Sequence, residues 1–160
     1  MMLFFRASAA PMGRFFALTV ALIASGALHA AESARFVTKV ALPSGQTAVI
    51  AEGDFEARSI GSFSVRLYDA APPGDETTFF VAGQVRTRDG TVERVVLADI
   101  AGDPRPEIVV IVRSAGTGGY LSAHAFAFDA QRLTFRGVVE GLPATADPVA
   151  ALRKSTSKRK

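Results

Sequence analysis

An all-β domain, an antiparallel β-sandwich of about eight strands, is the fold class this sequence predicts, and three observations predict it. Short segments alternate apolar and polar residues with period two, turn-forming clusters separate them at regular intervals, and one run is apolar on both faces. In the first segment Phe36, Thr38, Val40 and Leu42 share one face, with Val37, Lys39 and Ala41 on the other. In "SFSVRLY" the inward set is Phe63, Val65 and Leu67; in "RLTFRGV" it is Leu133, Phe135 and Gly137. One-sided strands of this kind belong to antiparallel sheets with one solvated face.

The punctuation agrees. "PSGQ", "AEGD", "AAPPGDE", "RDGT", "AGDPRP" and "FDAQ" all read as turns. The strongest hairpin signal is Asp89 followed by Gly90, because both tolerate the positive φ of a tight type I′ turn. "EIVVIVRS", residues 107–114, is apolar on both faces and is expected to be a central strand. No convincing long amphipathic helix is expected, since the apolar runs are short and rich in Val, Ile, Phe and Thr.

Along the 160 residues three regions are expected. In residues 1–30, Arg6 and Arg14 precede an apolar run of about 13 residues and the small-residue stretch "ALHAAES", the order of a cleavable secretory signal peptide. The run is shorter than the roughly 20 residues of a membrane-spanning helix. Residues 31–152 form the β domain, and residues 153–160, "RKSTSKRK", read as a basic disordered tail. The chain has no cysteine, which excludes a lipid anchor, disulfides and thiolate chemistry. A periplasmic protein without a membrane anchor is therefore expected.

The net charge of +3 conceals a division. With two leader arginines and five tail cations set aside, residues 31–152 hold eleven cations against fifteen carboxylates, a charge of −4. A mildly acidic domain is a poor nucleic-acid reader, so no nucleic-acid partner is expected. The edge strands of such a sandwich could pair into a homodimer.

Little supports an enzyme. His29 falls in the leader and His124 in a strand pattern, and neither a "GxSxG" elbow nor a "GxxxxGK" phosphate loop is present. No cofactor is implied. The stretch "DIAGDPRPE" offers Asp99, Asp103 and Glu107 as weak candidates for calcium. Ala101 and Arg105 stand where oxygen ligands belong, and a turn fixed by aspartates bonding to nearby backbone is the simpler reading.

The most informative segment is "RSAGTGGYLS", which leaves the doubly apolar strand through Gly116, Gly118 and Gly119 and ends at Tyr120, one of two tyrosines. It reads as a plain wide turn, as a nest of backbone amides for a small anion, or as a narrow recognition loop carrying the Thr117 hydroxyl and the Tyr120 ring. Ser114 and Ser122 stand at its two roots, read either as a pair that hydrogen-bonds across it or as ordinary strand-end polar residues. Together with the exported, cysteine-free β body and the turn "LADIAGDPRPEIVV", this loop resembles the periplasmic inhibitors of invertebrate-type (I-type) lysozymes. In that family a serine and a tyrosine three residues later carry inhibition. The matching pattern here is Thr117, Gly118, Gly119, Tyr120, with threonine in place of serine. The resemblance implies a sandwich that plugs the substrate cleft of an I-type lysozyme with residues 114–122. The rival reading is a calcium- or glycan-binding β module of the cell envelope.

Overall fold

The computed structural model describes residues 34–75 and 77–158; the expected signal peptide lies outside them. In chain order the elements are β1 (Val37–Ala41), β2 (Thr47–Glu52), β3 (Ile60–Tyr68), β4 (Phe80–Asp89), β5 (Thr91–Ala98), β6 (Glu107–Arg113), β7 (Leu121–Phe128), β8 (Leu133–Leu142) and α1 (Pro148–Ser157). The strands form two four-stranded antiparallel sheets, β1-β2-β3-β4 and β5-β6-β7-β8, each filled in sequence order. The eight-stranded sandwich read from period-two alternation is the fold.

The alternation explains the core. Ala48, Ile50, Phe63, Val65 and Leu67 of the first sheet meet Ile108, Val110, Val112, Phe126 and Leu133 of the second, and Phe63, Val65 and Phe126 are fully buried. Each large side chain removed from water in this way contributes about 1.5–3 kcal/mol. In β6 the intervening residues, Val109 and Ile111, belong to a second apolar layer on the outer side of the sheet. Both faces of β6 are covered, as its composition requires.

The second layer needs a cover, and α1 supplies it. The disordered tail expected for residues 153–160 is corrected here, because Arg153 to Ser157 continue a helix that begins at Pro148. Asp147 caps it, its carboxylate accepting from Val149 N at 2.9 Å and Ala150 N at 3.2 Å, and Pro148 fits the first turn, where no amide partner is needed. Leu152 is 1% exposed and packs with Val149 onto Ile100, Val109, Ile111, Leu121, Ala123 and Ala125. The small Ala123 and Ala125 give the helix room to approach. An isolated helix of this length is marginal in water, so its stability comes from that apolar contact.

The hairpin expected at Asp89 and Gly90 is also corrected. β4 pairs with β3 and β5 with β6, so Gly90 is the point at which the chain leaves one sheet for the other. The positive φ that suggested a hairpin is present, 107°, and a Cβ there would lie 1.9 Å from the Arg113 carbonyl oxygen. Beneath the corner the buried Arg88 guanidinium donates to the carbonyls of Ser62 (3.0 Å), Arg58 (2.8 Å), Ala57 (3.2 Å) and Gly90. Glu52 compensates its charge, with 3.8 Å between Arg88 Nε and Glu52 Oε1, and accepts from Val92 N at 2.7 Å. The crossing is thus held by a buried cation and anion whose polar atoms reach backbone on both sides.

Candidate functional site

The loop between β6 and β7 is closed at its root by Ser114 N donating to Tyr120 O at 2.8 Å and narrowed by Gly119 N donating to Gly116 O at 3.1 Å. Gly119 takes φ 55°, the left-handed conformation such a turn requires. The Ser114 hydroxyl accepts from Gly116 N at 3.2 Å, while Ser122 sits opposite Val112 in the strand ladder. Of the two readings of this pair, the bond across the loop gives way to one within it for Ser114, whose hydroxyl finds an amide two residues on, and Ser122 is a strand residue.

A brace reaches the loop from β5. Arg113 Nη1 donates to Gly119 O at 3.0 Å, and Arg113 Nε pairs with the Glu93 carboxylate. Glu93 is aimed there by a bulge that shifts the register between Val92 and Arg94. Neither residue is singled out by the sequence, because a charged pair across neighbouring strands becomes visible only with the register.

What the loop presents is Thr117, Gly118 and Tyr120, all exposed, with Gly119 half-buried. The Tyr120 ring, 52% exposed, lies directly over Gly118: a Cβ at Gly118 would come within 2.3 Å of Tyr120 Cε2 and 2.8 Å of Cδ2. The lack of a side chain at Gly118 therefore sets where the ring stands. The hydroxyls of Thr117 and Tyr120 have no partner among the described residues. The loop offers a fixed ring and two unengaged hydroxyls to an outside surface.

Beside it lies a depression of about 440 Å³ lined in part by Thr87, Asp89, Tyr120, Ser122, His124 and Glu140. His124 is 5% exposed, edge-on to Phe63 at 5.1 Å and tilted against Phe135 at 6.3 Å, and its Nδ1 has no hydrogen-bond partner. Burial first, and the neighbouring Arg86 second, push its pKa down to about 4. Arg86 itself stacks on Phe135, 3.8 Å from the ring centre. A histidine so placed is a packed aromatic and stays neutral at pH 7.

The weak calcium candidates are occupied by backbone. Asp99 Oδ1 accepts from Gly102 N at 2.7 Å and Asp103 N at 3.2 Å, and Asp103 Oδ1 accepts from Arg105 N at 2.9 Å. Glu107, 4% exposed, accepts from Ile100 N at 2.8 Å. Among the described residues no three His, Asp or Glu side chains are grouped as a metal site would group them.

The fold thus defines a β-sandwich that presents an exposed, braced loop beside a buried, neutral histidine. The family model described as "Periplasmic lysozyme inhibitor of I-type lysozyme" matches residues 34–156, and the chain belongs to that family, whose members are inhibitors and not enzymes. Among solved structures, the periplasmic lysozyme inhibitor of I-type lysozyme from Aeromonas hydrophila is 43% identical. It matches over 73% of this chain and 98% of its own, with a TM-score of 0.69. The same organism's inhibitor in complex with Meretrix lusoria lysozyme is 42% identical over 74% of this chain and 95% of its own, with a TM-score of 0.68. Among curated proteins nothing matches.

Proposed function

We propose that this chain is an exported, periplasmic inhibitor of I-type lysozyme that closes the enzyme's substrate cleft with residues 114–122. The observation that carries the reading is the pair of unpartnered hydroxyls, Thr117 and Tyr120, on a loop whose backbone is already fixed by its own hydrogen bonds and by Arg113. A glycosidase of this kind works with paired carboxyl groups in a cleft. Hydroxyl donors directed at those groups make charge-assisted hydrogen bonds and displace sugar and water together. The Gly118 amide can add a third donor; the Gly119 amide is engaged with Gly116 O. A preformed loop loses little conformational entropy on binding.

The test is the double variant Thr117→Ala, Tyr120→Ala in an assay of cell-wall lysis by an I-type lysozyme. Removal of a central anchor of this kind costs about 2–4 kcal/mol of binding, a loss of roughly 30- to 1000-fold, with the melting temperature unchanged. Full inhibition by the folded double variant would exclude the loop. Parallel assays on vertebrate-type and goose-type lysozymes should show no inhibition.

A further inference from the structure

Of the basic segment expected to be a solvated tail, residues 153–158 are instead positioned by the fold. β8 ends at Leu142, opposite Leu121 beside the recognition loop, and α1 then runs back along the outer side of the second sheet. Arg153 Nε donates to Asp99 O at 2.6 Å, which ties the second half of the helix to the turn preceding β6. That turn and the recognition loop lie at opposite ends of β6, whose seven residues span roughly 20 Å. Residues 148–160 contain five cations and no carboxylate, whereas the domain they sit on carries −4. Lys154 and Lys158 are exposed. One basic residue in the last turn suffices to complement a helix dipole, and this segment carries several more than that role requires.

We infer that the exposed cations of residues 153–158, followed in sequence by two more, form an electrostatic docking site for anionic phospholipid headgroups, holding the inhibitor peripherally at a membrane with its recognition loop directed away from it. Lipid is the favoured polyanion because the family is periplasmic, a compartment bounded by phospholipid and lacking nucleic acid. The cations carry the attachment, without insertion: the apolar residues of α1, Val149 and Leu152, already pack on the sheet. The orientation of the loop rests on the function proposed above; the lipid contact does not.

Sedimentation with phosphatidylglycerol vesicles, against phosphatidylcholine vesicles as control, tests the contact without any lysozyme. The protein should co-sediment with the anionic vesicles alone and be released by high salt. Replacing Lys154, Lys158, Arg159 and Lys160 by Gln leaves the Arg153 contact intact; it should lower partitioning by roughly 600-fold, at about fivefold per cation, with an unchanged melting curve. Absence of binding to anionic vesicles, or binding that survives the four substitutions, would overturn the proposal. So would charge-dependent binding to isolated peptidoglycan in place of vesicles. Retained lysozyme inhibition by vesicle-bound protein would support the orientation, and inhibition lost on binding to vesicles would refute it.

Discussion

The two connections at the ends of β6 are made from similar small and polar residues, yet they do opposite things with their hydrogen-bonding groups. In the turn before β6, Asp99, Asp103 and Glu107 accept from four nearby amides, and the turn is complete in itself. In the loop after β6 the backbone satisfies its own needs through Ser114, Gly116 and Gly119, and the hydroxyls of Thr117 and Tyr120 are left over. A turn that satisfies its side chains contributes stability; one that satisfies only its backbone keeps side chains for a partner.

This contrast can be tested by breaking each end separately. Glu107→Ala leaves the buried Ile100 amide without an acceptor and should destabilise the domain by about 3 kcal/mol, read by chemical denaturation, while the folded fraction inhibits lysozyme normally. Loss of inhibition without loss of stability would mean that the two ends are not independent. His124 gives a second, pH-dependent effect on stability. The unfolded chain takes up a proton near pH 6.5, whereas folded His124 resists it until about pH 4. Stability is therefore fully present above pH 6.5, falls by roughly 2–3 kcal/mol between pH 6.5 and 4, and loses nothing further from this group below that. His124→Phe should flatten this part of the profile, and an unchanged slope would place the titration elsewhere.

A smaller effect separates ring position from ring identity. Gly118→Ala forces Tyr120 off its site while retaining its hydroxyl, and should weaken inhibition about tenfold, roughly 1.4 kcal/mol, with an unaltered melting temperature. Smallest of all is the response to calcium: with Asp99, Asp103 and Glu107 engaged by amides, the melting temperature should not move on calcium addition. A calcium-dependent rise would show that the turn opens to a cation.

Much of the fold was legible in the sequence because sheet burial leaves a period-two imprint. Phe63, Val65, Leu67, Leu133 and Gly137 are buried as that period predicts, and the doubly apolar β6 announced a central strand. What β6 could not announce was the identity of its second cover. Asp147 followed by Pro148 is a helix start, but few apolar residues, Val149 and Leu152 among them, bind the helix to the sheet, and the cations beyond them dominate the composition. Gly90 illustrates a second limit. Its positive φ is a local requirement that sequence reveals, whereas which strand lies alongside β5 is a question of topology that no local pattern answers. In the loop, the exposure of Thr117 and Tyr120 followed from a glycine-rich interruption between two strands. The brace from Glu93 depends on a bulge in the register, and the Tyr120 ring over Gly118 on a contact, so both emerge only in three dimensions.

The sequential filling of the two sheets also bears on how the chain reaches its native state. Every strand pairs with its immediate predecessor or successor, apart from the one change of sheet at Gly90, so each half can zip up through a series of short loop closures. The slow step left over is the docking of two partly formed halves across a one-residue joint. Without cysteine there is no oxidative step to wait for. Gly90→Ala should slow the main refolding phase as well as lower stability, because it obstructs the joint itself.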